Sequence, residues 1–159
     1  MNNRGFTLIE TLVYLALFTI IIGGFVASSY ILFETSDRNQ AKAMMQEEEN
    51  FLVGKINWVL SGVNPSYAIA PSVGAPGPTL AVTKYDGSTP TIIRLGSTMQ
   101  FDGNTLNNSN VTISHLVFIH TYAGGTNPES IEAGFTISAK TSSGATVSER
   151  ASTTRYIRK

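Results

Sequence analysis

The chain reads as an α+β protein: one long N-terminal helix, transmembrane in its first half and amphipathic in its second, packed on a C-terminal antiparallel β-sheet. Three observations predict this class. Residues 11–33 form a run of 23 residues without a charge or a proline. Beyond it, Ala41, Met45, Leu52, Ile56 and Val59 recur at helical spacing with no proline before Pro65. After Pro65 the composition shifts to Gly, Pro, Ser, Thr and Asn between short β-branched runs, the pattern of strands and turns.

The size fits one domain with one anchor. The 159 residues carry 42% apolar side chains, too many for a disordered chain. Eleven Lys and Arg balance eleven Asp and Glu, so net charge gives no drive toward nucleic acid. The absence of cysteine excludes disulfides, a thiol nucleophile and every cysteine-ligated metal site. As a helix, residues 11–33 would span roughly 34 Å against a hydrocarbon layer of about 30 Å. The 126 residues from Glu34 onward are enough to bury a core of their own. Arg4 precedes the span, and Glu34 and Asp37 follow it, which predicts a cytoplasmic N-terminus and an external domain. A cleaved secretory signal is the competing reading, with Val26-Ala27-Ser28 as its cut. The run is too long for that pattern, and Glu10 stands at its start.

Glu10 therefore needs its own explanation. A carboxylate in an apolar layer costs on the order of a few kcal/mol, so such residues are usually functional and paired. The N-terminus reads MNNRGFTLIETLVYLALF, and Arg4-Gly5-Phe6-Thr7-Leu8-Ile9-Glu10 resembles the processing and methylation motif of type IV prepilins and pseudopilins. That family has a short polar leader ending in Gly, an aromatic first mature residue that becomes N-methylated, a Glu at the fifth mature position and a long apolar helix. The resemblance implies cleavage between Gly5 and Phe6 by a prepilin peptidase, methylation of the Phe6 amine, and assembly of subunits through Glu10, which neutralises a neighbour's amine. It implies a leader at 1–5, a transmembrane and filament-core helix at 6–33, and an extracytoplasmic pilin-like domain at 34–159, helical to about 61. A single-pass protein of the inner membrane, later found in a periplasmic or cell-surface filament, follows from it. The partners it implies are prepilin peptidase, other pilin subunits and, before assembly, the lipid bilayer.

Departures from the family pattern point to a minor subunit. Ala27 stands where many major pilins carry proline, and the C-terminal cysteine pair of many pilins is absent. Tyr14, Phe18 and Phe33 in the span resemble minor pseudopilins of the J-like type, while Glu10 disfavours the tip subunit that lacks it. The motif is shared by pili, type II secretion and DNA-uptake machines. The alternative function is a membrane-anchored ligand-binding or enzymatic domain, which has no use for a Glu four residues past a Gly-Phe cut.

The remaining elements follow in order. Residues 7–61 read as helix, with Gly23-Gly24 a candidate bend and Gly62 and Asn64-Pro65 the stop. Gln46-Glu47-Glu48-Glu49-Asn50 reads as a solvated face. Residues 67–78 are a loop, and 79–85 with 91–95 form a hairpin around Asp86-Gly87. Asp102-Gly103-Asn104 marks a turn. Residues 111–122 are apolar on both faces in their second half and read as a central strand. Residues 131–140 alternate cleanly, and 141–144 turn the chain into a last Thr- and Ser-rich strand ending near Ile157.

Chemistry in this domain is sparse. We expect no catalytic residue, no cofactor and no metal. His115 and His120, five apart in a strand, should face opposite ways and serve packing. Residues 104–110 with Asp102 are oxygen-rich in the manner of a calcium loop, but they contain one carboxylate. Arg150, Arg155, Arg158 and Lys159 form a basic tail that could touch DNA and more often is a solvated end.

Overall fold

The computed structural model describes residues 7–122 and 128–157. One helix, α1 (Leu8–Val59), is followed by seven strands: β1 (Thr79–Ala81), β2 (Thr91–Leu95), β3 (Thr98–Phe101), β4 (Asn104–Thr105), β5 (Val111–Thr121), β6 (Ser130–Lys140) and β7 (Thr146–Tyr156). The chain divides into two compact units, Met1–Asn39 and Gln40–Lys159. In the first, α1 stays helical through Gly23 and Gly24. At its other end the helix stops where Gly62 takes φ 73°, a left-handed conformation that costs glycine nothing.

In the second unit the buried positions of α1 are Ala41, Met45, Leu52, Ile56 and Val59, the stripe that its periodicity defines. They join one core with Leu80, Ile92, Met99, Phe118, Phe135 and Ile137 from the strands. The stripe skips the turn between Met45 and Leu52. Glu48 and Glu49 fill that gap, and they are partly buried rather than solvated. Glu48 Oε1 accepts the Asn108 backbone N–H at 2.8 Å, so the helix holds the chain as it leaves β4. Burial raises the Glu49 carboxyl above its ordinary range, and the nearby Glu149 carboxylate adds to the effect. Only Glu47 of the three matches the solvated face expected of them.

The strands form two antiparallel sheets, ordered β1-β2-β3-β4 and β5-β6-β7, where the sequence suggested one. The first is a meander in which two-residue turns join β2 to β3 and β3 to β4, while residues 82–90 connect β1 to β2. Asp102 and Gly103 take φ 47° and 83° between β3 and β4, the left-handed pair that an Asp-Gly hairpin turn requires. The first strand of the expected hairpin stops at Ala81, opposite Thr91. Lys84, just beyond it, turns back to the helix instead. Its Nζ donates to the Trp58 carbonyl at 3.0 Å and lies 3.7 Å from the Trp58 ring centroid. The last turn of α1 has no basic residue, and this buried ammonium supplies the cation that its carbonyls attract.

β5 is an outer strand by pairing, not the central one; β6 occupies the middle. The apolar character of β5 on both faces has a different origin. Its free edge is covered, because Gly77 N–H donates to Phe118 O at 3.0 Å, Phe118 N–H returns to Gly77 O at 2.8 Å, and Ile113 N–H reaches Ser97 O at 2.8 Å. A bulge between Ser114 and Val117, with His115 at φ 52°, also switches which residues face inward. Val111 and Ile113 are buried before it, Leu116, Phe118 and His120 after it.

Candidate functional site

The head of α1 is the first site. Gly5 and Phe6, the expected cut and methylation positions, lie outside the described residues. Thr7 is the residue before the helix, and its Oγ1 accepts the Glu10 backbone N–H at 3.4 Å while its carbonyl accepts from Thr11 N–H at 3.2 Å. This is the geometry of an N-cap with an acidic residue three positions on, where the helix dipole favours a carboxylate. Thr-x-x-Glu is itself a capping-box pattern, of which the structure shows the half made by the Glu10 backbone N–H on Thr7 Oγ1. The sequence carries that signal, overlaid on the processing motif that draws attention first.

The apolar segment meets the requirements of a bilayer. α1 contains an 18-residue window with mean hydropathy 2.1, none of it buried within the protein. Three threonine hydroxyls in or near this segment also find partners within the helix. Thr11 donates to Leu8 O, Thr19 to Leu15 O and Thr35 to Ile31 O, each at 2.8 Å. No water is needed to satisfy them. At the C-terminal end of this segment, Arg38 Nη2 meets Glu34 Oε1 at 2.8 Å. Of the two acidic residues that set the expected orientation, Asp37 is therefore the one left without this neutralisation.

The other candidate residues are taken up by structure. His115 is exposed at the bulge, and its Nδ1 lies 3.2 Å from Ser114 Oγ. His120 is buried against Glu129, a partner that no motif in the sequence indicates. The two histidines do face apart, but the bulge decides which one turns inward. In the oxygen-rich loop, Asp102 Oδ1 accepts Thr91 N–H at 2.7 Å. Asn107 Oδ1 accepts Met99 N–H at 2.8 Å, and its Nδ2 donates to Val111 O at 2.7 Å. These oxygens hold a turn. Among the described residues no group of three or more His, Asp or Glu has an arrangement that could hold a metal. Arg150 and Arg155 lie exposed on β7, whereas Arg158 and Lys159 are outside the described residues.

A second cluster, not foreseen from the sequence, is aromatic and cationic. Lys55 Nζ lies 3.9 Å from the Phe101 ring centroid and 4.4 Å from that of Trp58, and the two rings meet edge to face at 5.8 Å. Together with Lys84 this fastens the end of α1 to β3.

Comparison with protein families places the prokaryotic N-terminal methylation motif on residues 1–26. Comparison with curated proteins and with solved structures gives no match. The motif points to a structural subunit rather than an enzyme, one that prepilin peptidase processes and that assembles with other pilins. With this motif at the head of an apolar helix and two antiparallel sheets behind it, the chain combines the prepilin N-terminal methylation motif with a pilin-like α+β architecture.

Proposed function

We propose that this chain is a minor pilin or pseudopilin, a structural subunit of a type IV pilus, type II secretion or DNA-uptake filament. Residues 1–5 are its leader, 6–33 its membrane and filament-core helix, and 34–159 its extracytoplasmic domain. Prepilin peptidase cuts between Gly5 and Phe6, the new Phe6 amine is methylated, and Glu10 pairs with the amine of a neighbouring subunit. The subunit waits in the inner membrane, N-terminus in the cytoplasm, and then moves into the filament. What carries this reading is the match of residues 1–26 to the methylation motif. The exposed apolar window of α1 supports it, since such a surface needs lipid or other helices to cover it.

Intact mass of the protein taken from its native membrane tests the processing. Loss of Met1 to Gly5 removes Arg4 and leaves ten basic against eleven acidic side chains, a side-chain net charge of −1. The expected mass is that of the chain from Phe6 plus one methyl group. A mature start near Ser28 refutes the proposal.

A further inference from the structure

The two outer strands of the three-stranded sheet differ. Gly77 and Ser97 occupy the free side of β5, whereas the free side of β7 is open. The ends of the β6–β7 pairing show which backbone groups of β7 point that way. Ile157 N–H donates to Glu129 O at 2.8 Å, and at the other end Thr141 N–H donates to Ala145 O at 2.8 Å. Both contacts continue the β6–β7 register. In an antiparallel pair, the N–H and C=O of alternate residues point to the same side. The odd-numbered residues of β7 therefore bond to β6, and Thr146, Ser148, Arg150, Ser152, Thr154 and Tyr156 turn both backbone groups outward. Among the described residues nothing hydrogen-bonds to these outward groups.

Such an edge is a template for another strand, and proteins commonly blunt it with proline, a bulge, lysine or a short length. β7 has none of these, since its eleven residues pair with β6 without a register shift. Near the middle of the outward row stands Arg150. It is exposed, lies opposite the uncharged Thr136 of β6, and makes no ion pair among the described residues.

We propose that β7 takes up an extended segment of another protein chain as a fourth strand, with an acidic side chain of that segment opposite Arg150. Backbone bonds to the outward residues hold the segment whatever its sequence, and Arg150 selects its charge and register. The rest of the face suits hydroxyl and β-branched side chains. Ser148 already meets Ser138 across the sheet, Oγ to Oγ at 2.8 Å, and Ser152 and Thr154 repeat that chemistry along the strand. A second copy of this chain fits less well. In antiparallel pairing through β7 the outward residues of the two copies meet one another, and none of them is acidic. Glu149 lies on the other face of the strand, so a copy offers Arg150 no carboxylate.

The test uses the full chain in detergent micelles, a short synthetic peptide of alternating Thr and Val with Glu at its centre, and amide hydrogen exchange. Without peptide, Ser148, Arg150, Ser152 and Thr154 should exchange quickly, while Glu149, Ala151 and Thr153 between them are protected. With the peptide at about ten times its Kd, protection at the outward amides should rise about tenfold, the limit set by exchange from the free state. Lys in place of the peptide's Glu should weaken binding at least about threefold, and Arg150→Glu should reverse the order of the two peptides. Arg150 is exposed, so that variant leaves the core intact. Unchanged exchange at millimolar peptide, or equal binding of the two peptides by the wild type, overturns the proposal. Slow exchange of the outward amides without peptide, together with a dimer in sedimentation, assigns the edge to a second copy and overturns it as well.

Discussion

Replacing Glu10 with Gln separates its place in the helix cap from its proposed pairing with a neighbour's amine. As the third residue of a capped helix, Glu10 donates its backbone N–H to Thr7 Oγ1, and glutamine serves as well as glutamate at that position. As an ion-pair partner for a neighbour's amine, glutamine fails. The two energies differ in size. A cap is worth about 1 kcal/mol, about a fivefold effect, and the 3.4 Å bond here is a long one. Leaving an amine unpaired in an apolar filament core costs about 3–5 kcal/mol, or two to three orders of magnitude. Incorporation is measured as the ratio of filament-bound to membrane-bound subunit, in competition with wild type, after intact mass has confirmed normal cleavage. Glu10→Gln should fall by at least about a hundredfold, as should Glu10→Leu, whereas Thr7→Val should fall no more than about fivefold. Glu10→Asp should recover part of the loss, because its shorter arm still carries the charge. Wild-type incorporation of Glu10→Gln, with Thr7→Val as poor as Glu10→Leu, would show that the residue starts the helix and does nothing for assembly.

Two further predictions concern the domain. Lys84→Met should destabilise it by about 1–2 kcal/mol, because it removes the donor to the Trp58 carbonyl and the cation over the Trp58 ring. Urea unfolding followed through Trp58, the single tryptophan, reads this, and an unchanged midpoint contradicts it. Glu49→Gln should stabilise the domain near neutral pH. The Glu49 pKa is raised in the folded state, so the folded form holds more protons than the unfolded one, and stability falls as pH rises through that window. The gain from the variant, discounted for solvent screening to about 0.5 kcal/mol, should vanish below the ordinary carboxylate range. A gain that persists in acid points to another cause.

The parts of the fold that are legible in the sequence are those written in local periodicity. The α1 stripe from Ala41 to Val59, the alternation of β6 and the turn at Asp102-Gly103 each follow from residues within a few positions of one another. Glu48 is legible too, since the turn after Met45 belongs to the buried stripe, but three adjacent glutamates mask that geometry when they are read as a group. β3 escapes detection because Thr98–Phe101 is four residues between two tight turns, too short for a pattern. The place of β5 is ambiguous in the sequence because an apolar strand face is the same whether another strand or a loop covers its edge.

Distance along the chain also divides the candidate sites. At the head of α1 the cap is legible because Thr7 and Glu10 stand three residues apart, while Gly5 and Phe6 before them lie outside the described residues. The buried His120 contacts draw on Pro71 and Glu129, 49 and 9 residues away, and the Lys84 cap on Trp58, 26 away. No spacing rule joins such residues, because the sheet register decides which of them meet. In β5 the register itself depends on one extra residue at His115, which moves His120 from the outer face to the inner. Deleting His115 should therefore remove the bulge and leave Leu116, Phe118 and His120 facing inward on a regular strand, so the domain should keep its core; circular dichroism and urea unfolding that show a collapsed domain would contradict this reading of the register.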